Sequence, residues 1–265
     1  MKIQNLISKI YDELLEEDFL TLSPEEKLAT CNNCYKLRSH APLPKFNPQT
    51  KCCTFYPFIP NFLVGAILED QATVLAAEFV RQAVKERSFV LPIGLCAPEF
   101  YQVHFLNKRQ EDFGRNAEFR CPFYEVNKGT CGVWPYRGSE CVSYHCVSSY
   151  GDKGERFWSG VSAYLHHAEL ELAQLVMIEK GYTPSEIDKN LYYVRIETEE
   201  RRRQNLDIND WNSLWIHHVD DIESYYKDSF KFVTQNKEKL KSEINVSRRS
   251  TEVPDPKILK SLIMG

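Results

Sequence analysis

Apolar residues recur at helical spacing along much of the chain and lose that period in a long stretch near its middle. Residues 3–15 carry Ile3, Leu6, Ile7, Ile10, Leu14 and Leu15 on one stripe, which predicts an N-terminal helix. Ser23-Pro24-Glu25-Glu26 supplies a capping hydroxyl, a proline at the first helical position and a glutamate at the capping-box position, so a second helix is expected to run toward Cys31. Residues 35–51 hold Pro42, Pro44 and Pro48 without periodicity and read as loop. The aromatic and proline-rich run after Cys53 leads into a helix start near FLVGAIL. Residues 70–87 place Val74, Ala77, Val80 and Val84 on one side of an amphipathic helix. Phe89 to Ile93 fits a short strand, and 98–119 fits one more helical segment.

Downstream the helical signal is stronger. Residues 157–180 form one long pattern that stops at Gly181. Thr183-Pro184-Ser185-Glu186 repeats the cap, proline and glutamate signature and predicts a helix over about 184–203. Asn209-Asp210 starts a third, carrying Trp211, Leu214, Trp215, His218, Ile222, Tyr225 and Tyr226 toward about 240. The polar end, with Arg248-Arg249, reads as a flexible tail over 243–265. The expectation is a mainly α fold with few or no strands. A single domain over 1–242 would pack a loop-rich cysteine region (24–150) with a helical half (151–242).

The unpatterned stretch is where the chemistry concentrates. From Cys121 to Cys146, four of the nine cysteines occur among Pro122, Gly129, Gly132, Pro135 and Gly138, a chain of turns that returns thiols toward one point. Upstream lie Cys31 and Cys34 as CxxC, and the adjacent pair Cys52-Cys53. No signal peptide or membrane-length apolar run is visible, which points to the cytoplasm, where thiols stay reduced. In that setting nine cysteines favour metal ligation over disulfides. A net charge of −4 implies no broad basic face for nucleic acid. No membrane association is expected either, and the partner protein or small molecule is left open.

Thiolate is a soft ligand suited to zinc, copper(I) and iron–sulfur clusters. CxxC is common to zinc and iron–sulfur sites, but a redox dithiol uses the same spacing. The side chains of adjacent cysteines diverge in extended chain, so Cys52 and Cys53 need not serve one site. Eight thiols allow either two four-sulfur sites or one shared centre. Cys96 lies outside the pattern and reads as a buried, inert thiol.

Cys121-Pro122-Phe123, followed by Cys131-x-Val133-Trp134-x-x-Arg137-x-x-x-Cys141, resembles the second half of the CxxCxxCC cysteine-cluster family, the zinc- or iron-chelating YkgJ-like proteins. Cys31, Cys34, Cys52 and Cys53 resemble that family's CxxC and CC elements. The match spans about 31–146, with a longer gap between Cys34 and Cys52 and Gly138 in place of a proline. The resemblance implies a metal or iron–sulfur centre held by Cys31, Cys34, Cys52, Cys53, Cys121, Cys131, Cys141 and Cys146. A 4Fe–4S cluster is favoured over zinc, and the role is redox or structural. Arg137 falls at the family's arginine, where it would donate to cluster sulfurs or pin the loop. The family also includes one enzymatic relative, the flagellin lysine N-methylases, so a cluster-dependent modifying enzyme is the alternative.

Two further patterns carry candidate chemistry. His166-His167 and His217-His218 sit on predicted helices beside carboxylates and could line a second metal site, although a solvated helix face is the commoner case. Gly151-x-x-Gly154 could present backbone amides to an anion, with a simple turn as the default. The sequence contains no P-loop, GxGxxG, HExxH or GxSxG motif.

Overall fold

In the computed structural model, which describes residues 2–26, 34–38, 45–145, 148–194 and 202–264, the N-terminal apolar stripe is buried but is not one helix. It is two 3-10 turns, Ile3–Asn5 and Lys9–Tyr11, followed by the short helix Glu17–Leu20. The interruption is local. The Ser8 side chain accepts from the Ile10 N–H, and Glu13 adopts φ 70°, so the polar residues take the backbone out of helix while Ile3, Ile7, Ile10, Leu14 and Leu15 still reach the core. Of the next expected helix, residues 23–26 are not helical and 27–33 lie outside the described residues. Glu26 does not close a capping box; its carboxylate is engaged elsewhere.

The chain divides into two compact units that interleave in sequence. The first comprises Met1–Tyr35, Trp134–Leu172 and Phe232–Gly265; the second comprises Lys36–Val133 and Ala173–Lys231. The fold is mainly α, with five two-residue strands among the described residues.

In the first unit the early part of the long helix Asp152–Glu179 is the central element. Tyr164 on it stacks on Phe19 with ring centroids 3.9 Å apart. Gly160 lies against Leu259, close enough that a Cβ there would meet the leucine Cδ2 at 2.4 Å. The expected flexible tail is instead two helices, Lys237–Arg249 and Pro256–Ile263. Both are amphipathic despite their polar composition: Leu240, Ile244 and Leu259 are buried, and Asp255 caps the last helix through the Lys257 N–H. Arg248 pairs with both oxygens of Glu16 at 3.0 and 2.9 Å, tying the first of these helices to the N-terminal segment.

The second unit is built on a small antiparallel sheet, with β1 (Ile59–Pro60), β2 (Val90–Leu91) and β3 (Gly94–Leu95) in the order β1-β3-β2. Helix Asn61–Glu69 leaves β1 directly, and the Asn61 amide donates to the carbonyls of Pro92 and Ala173 at 3.0 Å each. Gly65 allows that helix to approach helix Ile222–Gln235 closely; an added Cβ would stand 1.9 Å from the Tyr226 carbonyl oxygen. Helix Val74–Glu86 buries Ala76, Ala77, Val80 and Ala83, while Val74 is 47% exposed, so its inner face is rotated from the expected one. Glu99–Leu106 supplies the helix expected within 98–119. The capping box of Thr183 and Glu186 forms, and its helix covers Pro184–Leu191; residues 195–201 of the expected span lie outside the described residues. The third expected helix is broken at Ile216 (φ 48°) into Ile208–Trp215, a 3-10 turn and Ile222–Gln235. No helix among the described residues is long and apolar enough to cross a membrane.

Candidate thiol centre

The adjacent pair Cys52-Cys53 sits at the end of a tight turn. Asn47 starts it, accepting from the Gln49 N–H with its side chain and from the Thr50 and Lys51 N–H groups with its carbonyl. The Cys53 N–H then donates to Thr50 at 3.0 Å, and the Thr54 N–H to Cys52 at 2.8 Å. This backbone is not extended, so the expected divergence of the two thiols does not occur. They are hydrogen-bonded to each other, and that bond together with burial pushes the Cys52 thiol far above its ordinary range.

A second cysteine-bearing segment lies beside this turn. Strands β4 (Tyr124–Glu125) and β5 (Thr130–Cys131) form a hairpin in which Tyr124 opposes Cys131, closed by Gly129 at φ 64°. Cys121 leads into it, and its carbonyl accepts from the Tyr124 N–H at 3.1 Å. Three bonds strap hairpin to turn. The Cys121 N–H donates to the Cys53 carbonyl at 2.9 Å, the Tyr124 hydroxyl to the Pro48 carbonyl at 3.2 Å, and the Lys51 ammonium to the Gly129 carbonyl at 2.5 Å. Opposed residues of an antiparallel pair project to the same face. Cys131 therefore shares the face from which Tyr124 reaches the Cys52-Cys53 turn. Phe123 anchors the hairpin edge-on against Phe79 at 5.3 Å.

Cys52, Cys53, Cys121 and Cys131 thus all belong to the second unit, whereas Cys34 and Cys141 belong to the first; Cys31 and Cys146 lie outside the described residues. No disulfide joins the described cysteines. As their side chains stand, no three His, Cys, Asp or Glu residues among the described ones are grouped to hold one ion. The backbone therefore brings two cysteine loops together without preassembling a ligand set. Cys96 is 1% exposed and far from ionising because of its burial.

Arg137 stacks on Trp134 at 3.5 Å and donates to the carbonyls of Trp134 and Leu6 at 3.2 and 3.3 Å, so one donor secures its own loop and another ties that loop to the N-terminal segment. His166 and His167 fall in the first unit, and His217 and His218 in the second. His218 bonds the Lys180 carbonyl at 3.0 Å and stacks on Tyr182. Gly151 and Gly154 close a turn on each other, the Gly154 N–H reaching the Gly151 carbonyl at 2.9 Å.

The first unit holds two carboxylates whose environments the sequence did not announce. Glu26 accepts from the Ser149 N–H at 2.6 Å, the Ser148 hydroxyl at 2.7 Å and the Trp158 indole at 2.8 Å. Burial alone would raise it, but these bonds hold it below the ordinary carboxylate range. His145 stacks on Trp158 at 4.0 Å with its Nδ1 buried and unpartnered. Glu169 is 1% exposed; it accepts from the Tyr11 hydroxyl at 3.0 Å and the Ser139 N–H at 3.2 Å, and burial pushes it up to about 7. The signal for Glu169 was an acid set within the stripe of Leu165, Ala168 and Leu172. A groove of about 590 Å³ in this unit is lined by charges of both signs, and Arg248 within it is already paired with Glu16.

No protein-family model, curated protein or solved structure matches the chain. The fold and site define a mainly α protein with a strapped pair of cysteine loops in one of its two units.

Proposed function

We propose that the chain is a divergent member of the cysteine-cluster family and that its thiolates hold a metal or an iron–sulfur cluster in a redox or structural role. The observation that carries this reading is the strapping of the Cys52-Cys53 turn to the Cys121–Cys131 hairpin. Two loops distant in sequence are joined by three hydrogen bonds in which a cysteine or its immediate neighbour takes part or lies within a few residues. Such a frame holds the two cysteine loops side by side, and ligation of a soft ion by their thiolates would stabilise the second unit. This reading calls for a reducing setting such as the cytoplasm, where thiols stay unoxidised. Favouring a 4Fe–4S cluster over zinc rests on the family resemblance and the number of thiols. The alternative, a cluster-dependent modifying enzyme, rests on the family resemblance alone.

The test is purification without oxygen followed by metal analysis. A brown protein with broad sulfur-to-iron absorbance, and iron and sulfide in equal amounts, supports the cluster; colourless protein with zinc supports the structural site. Protein that contains neither and takes up neither on reconstitution refutes the proposal.

A further inference from the structure

We infer that the charged groove of the first unit is a binding site for a small zwitterion, with a carboxylate or phosphate at one end and an ammonium at the other. Its lining residues all belong to the first unit, whereas the strapped cysteine loops belong to the second. At about 590 Å³ the groove has the size of a small-molecule site.

The charges of the lining are sorted by element. Glu17 and Asp18 come from the first turn of helix Glu17–Leu20. Lys241 and Arg249 come from helix Lys237–Arg249, and Lys257 from helix Pro256–Ile263. The two sets meet at Arg248, which is 6% exposed and donates through Nη2 to both oxygens of Glu16. Among the described residues no other ion pair crosses the groove, so the acids and cations lining it stand too far apart to neutralise one another. Asp255, an acid from the cationic side, already accepts from the Lys257 N–H. Four acidic and four basic residues line the groove, which leaves no net charge to draw a simple ion. A lone anion would meet Glu17 and Asp18, and a lone cation would meet Lys241, Arg249 and Lys257. A molecule carrying both charges gains at each end and is repelled at neither. The Arg248 Nε is buried without a hydrogen-bond partner among the described residues, a donor that a ligand oxygen would satisfy.

The experiment is calorimetric titration of the full chain at low ionic strength and under reducing conditions. The probes are γ-aminobutyrate and phosphoethanolamine, which carry both charges, with butyrate, inorganic phosphate and ethanolamine as single-charge controls. At least one zwitterion is expected to bind at least about tenfold more tightly than its single-charge controls, and to weaken as salt is added. Preference for γ-aminobutyrate or for phosphoethanolamine supports the inference either way and identifies the anionic end. The Arg249→Gln/Lys257→Gln and Glu17→Gln/Asp18→Asn double variants, checked for fold by circular dichroism, are each expected to weaken the zwitterion by at least about tenfold. Single-charge probes that bind as tightly as the zwitterions overturn the inference, as does affinity unchanged in both folded double variants. Failure of both zwitterions to saturate the chain by about 10 mM overturns it as well. The comparison of probes on the unaltered chain decides the matter even where a variant fails to fold.

Discussion

Replacing Glu169 by glutamine tests the electrostatics of the first unit. The carboxyl is buried, held by the Tyr11 hydroxyl and the Ser139 N–H, and raised from its ordinary 4.5 to about 7 by burial, with Glu140 adding to the rise. Below pH 4.5 both the folded and the unfolded chain hold the proton. Between 4.5 and about 7 only the folded chain does, so unfolding releases a proton and stability falls as pH rises. Above about 7 the loss is complete. The interval is roughly 2.5 pH units, and at about 1.4 kcal/mol per unit it amounts to at most about 3 kcal/mol. Glu169→Gln keeps the shape and cannot ionise. In urea unfolding followed by circular dichroism, the variant and the unaltered chain should have similar stability near pH 5. They should separate as pH rises, with the variant more stable by up to about 3 kcal/mol near pH 8. Titrations elsewhere in the chain cancel in the difference. Tyr11→Phe removes a bond that favours the carboxylate and should move the inflection to higher pH. Parallel stability curves for the unaltered chain and Glu169→Gln across this range would refute the reasoning.

Other substitutions probe the second unit. Gly65→Ala should destabilise it by about 3 kcal/mol despite alanine's better helix propensity, because its Cβ would meet the Tyr226 carbonyl at 1.9 Å; an unchanged melting temperature contradicts the close approach. Arg203→Ala strips the partner from Glu99, whose side chain is 0% exposed and bonded at 2.7 and 3.0 Å, and should cost roughly 3–5 kcal/mol in urea unfolding. A loss below about 0.5 kcal/mol would mean that the pair contributes no more than a surface ion pair and would refute the expectation. Cys96→Ala should leave bound metal unchanged and cost about 1 kcal/mol; loss of metal would place Cys96 in the centre.

Much of the helical architecture was legible in the chain. The stop at Gly181 and the Thr183–Glu186 capping box depend on neighbouring residues alone, and both occur as read. Asn209-Asp210 marked the right place for a helix start, although the cap is Asp207. The N-terminal stripe predicted burial correctly and helix wrongly, because periodicity records which side chains face the core, not the hydrogen bonds that deliver them. Ser8 and Glu13 broke the ladder without moving the stripe. The last helices were missed for the opposite reason: Lys237–Arg249 carries so few apolar residues that only packing of Leu240, Ile244 and Arg248 fixes it.

The cysteine types and their turn-rich surroundings were set by the sequence, since glycine, proline and thiol chemistry act residue by residue. Which thiols share a compact unit was not. It follows from a Lys51 ammonium finding Gly129, a Tyr124 hydroxyl finding Pro48 and a Cys121 amide finding Cys53. Those bonds join residues whose separation along the chain carries no periodic signal, so only the folded backbone could decide them.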